Sequence, residues 1–156
     1  MAPRPSTVRY PPQTTELHHE VELYVAIGSA GRRLDEQGAA ASILGYGLAV
    51  DLTRRDVQAR AKERGRPWAL SKGFDQAAPL SELRLGLPSP QCELELWVGG
   101  EERQRGHIGQ MILSPIEVLI ELSEQVAIEP GDIILTGTPA GVGPVQVGDE
   151  VRARLG

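Results

Sequence analysis

The amino-acid sequence predicts a strand-dominated α+β domain, and three observations carry that expectation. Apolar and polar residues alternate strictly from Glu20 to Ile27, the period of a strand. The helical patterns are few and short. The elements also lack the regular strand–helix–strand rhythm of a doubly wound parallel sheet, and no internal repeat interrupts the chain.

Residues 1–16 are rich in Pro and Thr without periodicity and are expected to form an extended N-terminal arm ahead of a domain spanning 17–156. From Glu20 the alternation sets Val21, Leu23, Val25 and Ile27 on one face, with Glu20, Glu22, Tyr24 and Ala26 on the other, as in a half-buried strand. Gly28–Arg33 reads as a turn and the Ala-rich stretch Leu34–Leu44 as a short helix. Gly45–Leu52 is apolar and short enough for a buried strand, with Asp51 near its end. Arg54–Arg64 reads as a polar helix stopped by Gly65 and Pro67. Glu93–Val98 alternates again and turns through Gly99-Gly100 into a hairpin with Glu102–Met111. Pro115–Val126 carries the clearest helix signature: Ser114 as cap, Pro115 at the first position and Glu117 completing a capping box. Ile133–Thr136, a Gly-rich loop and a strand over Glu150–Leu155 follow.

The chain has 156 residues, 40% of them hydrophobic and 24% charged, which is enough for a core without staples. No apolar run reaches the ~18 residues of a membrane span, so no membrane association is expected. The net charge of −5 includes no basic block, so no nucleic-acid partner is expected. Without a signal-like start and with a single cysteine, Cys92, the expected setting is reducing and cytoplasmic.

Glu20 and Glu22 share one strand face, with Cβ atoms about 6–7 Å apart. Spacing alone leaves two readings: a solvated polar face, or a pair neutralised by a divalent ion. Asp51 emerges from an apolar segment and either caps a helix beginning near Thr53 or joins the pair. Three oxygen donors without Cys or His spacing favour Mg²⁺, Mn²⁺ or Ca²⁺ over Zn²⁺. Of the adjacent His18 and His19 only His18 shares the Glu20 side, as a proton carrier or simply a strand end. Lys72 lies in Trp68–Asp75, a segment too irregular for a helix face, and is either a functional cation or an ordinary surface lysine. The loop Gly137–Gly143 lacks the Lys-Ser/Thr of a phosphate loop, so no nucleotide site is expected.

Four segments in order, LHHEVEL (17–23), GYGLAVDLTRRDVQ (45–58), PWALSKGFDQAAPLS (67–81) and GDIILTGTPAGVGP (131–144), resemble the fumarylacetoacetate hydrolase family. The likeness is to its acylpyruvate hydrolase and oxaloacetate decarboxylase branch. With QMILSPIEVLIELS (110–123) it extends from about Leu17 to the end.

The resemblance implies the family's rolled mixed β-sheet with short flanking helices, usually assembled as a homodimer. It implies that Glu20, Glu22 and Asp51 hold Mg²⁺ or Mn²⁺, with Ca²⁺ as an alternative. It places Arg55, Gln58 and Lys72 at the carboxylate and oxo groups of a small anionic 2-oxo acid, with Lys72 also catalytic, and Thr138 in the substrate-side loop. The implied reaction is C–C cleavage, by acylpyruvate hydrolysis or oxaloacetate decarboxylation, through a metal-stabilised enolate. Isomerase or hydratase chemistry on 2-hydroxyhepta-2,4-diene-1,7-dioate is one alternative. A catalytically weak remnant that binds metal and oxo acid is another. The family's lid His/Glu pair and short closing strand have no match here, so a chain truncated at both ends relative to the family is expected.

Overall fold

The computed structural model describes residues 6–156. In chain order the elements are β1 (Leu17–His19), β2 (Val21–Ile27), α1 (Glu36–Ser42), β3 (Ile43–Val50), β4 (Thr53–Arg54), α2 (Arg55–Glu63), α3 (Ala69–Lys72), β5 (Arg84–Leu85), β6 (Glu93–Val98) and β7 (Glu101–His107). A 3₁₀ turn at Ile108–Gln110, α4 (Pro115–Gln125), β8 (Ile133–Leu135), β9 (Gly143–Val145) and β10 (Val151–Leu155) complete them. Strands dominate, as the sequence predicts. They form three sheets, β4-β1-β9, β10-β6-β7 and β5-β3-β2-β8. All strand pairings among the described residues are antiparallel, where the resemblance implied a mixed sheet.

The strand expected from Glu20 is buried on both faces rather than one. β2 lies between β3 and β8 in the four-stranded sheet. Val21 and Leu23 join a cluster with Leu48, Leu94, Leu96 and Leu155, which ties this sheet to β6 and β10. Val25 and Ile27 pack instead with Ala39, Leu119 and Ile128 under α1 and α4. Tyr24 and Ala26 close the opposite face with Ala49. At about 1.5–3 kcal/mol for each large apolar side chain removed from water, this central strand anchors the fold.

The chain changes sheets at Glu20. β1 pairs with β4 (His18↔Thr53) and β2 pairs with β3 (Val21↔Val50), so two neighbouring strands bend together. Glu20 and Asp51 occupy the two bends, and the Asp51 amide donates to the Glu20 carbonyl at 2.8 Å across the corner.

Helix ends follow their cap chemistry. Ser114 accepts from the Glu117 amide and the Glu117 side chain accepts from the Ser114 amide, with Pro115 at the first turn. The helix expected over Leu34–Leu44 is shorter: Asp35 caps it, and Ile43 and Leu44 already belong to β3. The Gly-rich loop hides a strand, β9, which pairs with β1. Gly143 and Pro144 carry little strand propensity, and their pairing with β1 overrides it. In the stretch expected to be an extended arm, Val8 and Tyr10 pack against the first core cluster and the Tyr10 hydroxyl accepts from the Leu17 amide at 3.2 Å; residues 1–5 lie outside the described residues.

Candidate metal centre

Glu20, Glu22 and Asp51 meet at the bent corner. One oxygen from each lies within 4.8 Å of the others. Ligand oxygens about 2.0–2.6 Å from one ion stand at most about 5 Å apart, so this spacing fits a single Mg²⁺, Mn²⁺ or Ca²⁺. The donor set, three hard carboxylates without thiolate or imidazole, fits the same ions.

Strand geometry explains the convergence. Glu20 and Glu22 are two positions apart, and Asp51 faces Glu20 across the paired bend. The helix-cap alternative for Asp51 does not hold: α2 is preceded by Arg54 and has no side-chain cap. Asp51 Oδ2 instead accepts from Lys72 Nζ at 2.5 Å, and Glu20 Oε2 accepts from the same ammonium at 2.8 Å. Lys72 stands at the end of a short helical turn, α3, and not in irregular chain as its sequence suggested. A single turn is too brief to show periodicity.

Arg55, the first residue of α2, donates to Glu20 Oε1 at 2.5 Å and to Gln58 Oε1 at 2.8 Å. Buried Gln58 thus orients the guanidinium one turn away. His18 does sit on this side, with Nδ1 3.4 Å from Arg55 Nε and Nε2 2.9 Å from Glu16, so it reaches the carboxylates only through Arg55. Thr138 is beside the centre, but its hydroxyl donates to the Val21 carbonyl at 2.7 Å.

The three carboxylates are electrostatically unequal. Burial acts to raise the Glu20 pKa, but hydrogen bonds and charge from Lys72 and Arg55 outweigh it and hold it below the ordinary range. Burial wins at Asp51 despite Lys72 and raises its pKa. No cation pairs directly with Glu22: burial pushes it up to about 7, the Gly137 amide at 2.7 Å and the charge of Lys72 only partly oppose this, and the Asp51 and Glu20 charges add to the rise. Lys72 is drawn down by burial and up more strongly by Asp51 and Glu20, so it is a firm ammonium. Three negative charges against two positive ones leave a buried deficit that a divalent ion reverses.

Two participants had no sequence signal. Gln104 lies in EERQRGH, which looks like an exposed charged strand, yet it is 1% exposed and hydrogen-bonds to the loop beside Glu22. The Gly137 amide is a backbone group and leaves no trace in residue identity.

The sequence profile of the family described as "Fumarylacetoacetate (FAA) hydrolase C-terminal" matches residues 1–156. The chain is 44% identical over 158 residues to a mitochondrial oxaloacetate tautomerase of Bos taurus, covering 99% of this chain and 71% of that protein. It is 39% identical over 154 residues to a mitochondrial oxaloacetate decarboxylase of Dictyostelium discoideum, covering 95% and 69%. The crystal structure of fumarylpyruvate hydrolase from Pseudomonas aeruginosa, in complex with Mn²⁺ and pyruvate, superposes with a TM-score of 0.90 at 41% identity, covering 94% of this chain and 64% of that one. The chain thus spans somewhat under two thirds of the length of that solved relative.

Proposed function

The chain belongs to the fumarylacetoacetate hydrolase family, and from that premise we propose that it binds one Mg²⁺ or Mn²⁺ through Glu20, Glu22 and Asp51 and acts on small 2-oxo acids. The observation that carries the reading is the convergence of three carboxylates, Glu20 and Glu22 buried and Asp51 half-buried, around a deficit of positive charge. The ion would supply Lewis acidity to the 2-oxo oxygen, where negative charge develops when the C3–C4 bond breaks or a C3 proton leaves.

The residues around it divide the remaining work. Arg55, aligned by Gln58, would bind a substrate carboxylate through guanidinium N–H groups not used by Glu20, Gln58 and His18. Lys72, held as an ammonium, would offer a hydrogen bond and positive charge from Nζ to developing oxyanion charge. With the ion bound the centre carries one net positive charge, which favours an anionic substrate. Thr138 contributes to the substrate side of the loop.

Two readings share this build-up of charge on the 2-oxo oxygen. Cleavage of acylpyruvates or decarboxylation of oxaloacetate is the leading reading, since one relative is a named oxaloacetate decarboxylase and another a fumarylpyruvate hydrolase. Keto–enol tautomerisation of oxaloacetate is the second, favoured by the relative named for it. NMR of product mixtures from oxaloacetate and acetylpyruvate separates them. Pyruvate release abolished by Glu22→Ala supports cleavage, enol–keto exchange without pyruvate supports tautomerisation, and neither with Mn²⁺ present refutes both.

Assembly as a homodimer has a matching surface: Leu83, Leu85 and Leu87 stand exposed beside Leu44 on the β5 edge of the four-stranded sheet. The free thiol of Cys92 fits a reducing compartment such as the cytoplasm. No helix among the described residues is long and apolar enough to cross a membrane.

A further inference from the structure

Gln104 projects from β7, in the sheet that carries none of the three carboxylates, and is buried to 1% exposure. Its amide nitrogen donates to Thr138 Oγ1 at 2.8 Å and to the Pro139 carbonyl at 2.9 Å. Its oxygen accepts from the Val21 amide at 3.0 Å and lies 2.9 Å from His19 Nδ1.

Donor and acceptor chemistry fixes the direction of every hydrogen bond in this set. The Pro139 carbonyl can only accept and the Val21 amide can only donate, so the carboxamide has one allowed orientation. The Thr138 hydroxyl gives its proton to the Val21 carbonyl and therefore accepts from Gln104. His19 Nδ1 must then carry a proton, while Nε2 is buried without a hydrogen-bond partner. One side chain thereby fastens β1, β2 and the Gly137–Pro139 loop to β7. Adjacent contacts demand the same fit. A Cβ on Gly106 would lie 2.9 Å from Pro139, and one on Gly141 would lie 2.0 Å from the Arg103 carbonyl.

We propose that Gln104 is a positioning residue for the acidic centre: it holds the Gly137–Pro139 loop against β2, so that the Gly137 amide fixes the Glu22 carboxylate in the orientation that accepts the cation. This deepens the metal-site reading and rests on it. Gln104 touches neither ion nor substrate, and acts through Gly137 and Thr138. Residues that orient metal ligands are worth about 10–100-fold in metal affinity, which sets the size of the effect.

The test uses Gln104→Met, which removes all four contacts, and Gln104→Glu, which keeps the acceptor half and loses the donor half. Ser123→Ala is the control: its hydroxyl, buried on α4, bridges the Leu34 amide and the Ile120 carbonyl away from the centre, so it reports plain loss of stability. Two readouts are taken on the full chain well below each variant's Tm. The first is hydrogen exchange at the Gly137 amide without metal. The second is Mn²⁺ affinity from electron paramagnetic resonance. The expected result is at least tenfold faster Gly137 exchange and about 10–100-fold weaker Mn²⁺ binding in both Gln104 variants, with neither changed in Ser123→Ala. Gly137 exchange and Mn²⁺ affinity within twofold of wild type in either Gln104 variant would overturn the proposal. A wild-type chain without a Mn²⁺ site would overturn the metal reading, while accelerated Gly137 exchange in the variants would still support the positioning contact. Should Gln104→Met not fold, Gln104→Glu alone decides the matter by the same criteria.

Discussion

Glu22 is the residue on which the centre turns, because it is the one carboxylate of the three without a cation beside it. Its pKa is raised from an ordinary value near 4.5 to about 7, so the metal-free fold is favoured by the protonated form. That stabilising contribution is complete below pH 4.5 and is lost as pH rises through 7. Thermal melts of metal-free protein are therefore expected to show Tm falling between pH 5 and 8, by up to about 3 kcal/mol of stability, with Mn²⁺ restoring more at pH 8 than at pH 6. A Tm independent of pH across that window would contradict the burial of this charge. Glu22→Gln keeps the acceptor for the Gly137 amide while removing the charge. The variant is expected to melt higher than wild type at pH 8 without metal, yet to gain nothing from Mn²⁺. At this scale the sequence was informative where identity and spacing coincide. Alternation puts Glu20 and Glu22 on one side, whereas the identity of Asp51 suits a helix cap equally well, and only the fold, which starts α2 after Arg54, excludes that role. Gln104 was silent because a polar residue among EERQRGH carries no mark of burial.

Among the elements, the paired bend of β1–β2 and β3–β4 does the assembling. A single straight strand through Glu20 would keep both glutamates in one sheet and leave Asp51 to chance. Bending both strands at Glu20 and Asp51 makes the two residues neighbours. Sequence periodicity cannot report such a bend, since β1 and β4 are only three and two residues long and too short to show a period of their own. The Gly-rich loop is equally dependent on tertiary contact. Gly141, at φ +102° and with no room for a Cβ against the Arg103 carbonyl, tolerates no other residue. Gly141→Ala is expected to weaken Mn²⁺ binding and to lower Tm together, and an unchanged Tm would show that the loop is not clamped to β7. The capped helix α4 was legible in full because its signal is local. Ser114→Ala is expected to cost about 1 kcal/mol of stability while leaving Mn²⁺ affinity unchanged.

For the whole molecule, the strand-dominated class could be read from patterning, but the division into three sheets could not. It depends on which strands pair over long sequence separation, such as β1 with β9 and β2 with β8. The exposed leucines of the β5 edge belong to this scale as well, with Leu85 77% exposed. Light scattering of Leu85→Glu is expected to show a shift from dimer toward monomer with Tm little changed. A dimer of unaltered mass would move the interface elsewhere. Binding of an ion to the folded state alone raises stability by about 2.7 kcal/mol at a hundredfold excess over Kd, so metal and fold are linked through the same corner.

Calorimetric titration of Mn²⁺ into metal-free protein at pH 8, alongside Glu22→Gln, tests the central claim most directly. One saturable site per chain in the wild type, absent from the variant, is the predicted result. Heats of dilution alone in the wild type, or an equal site in the variant, would contradict it.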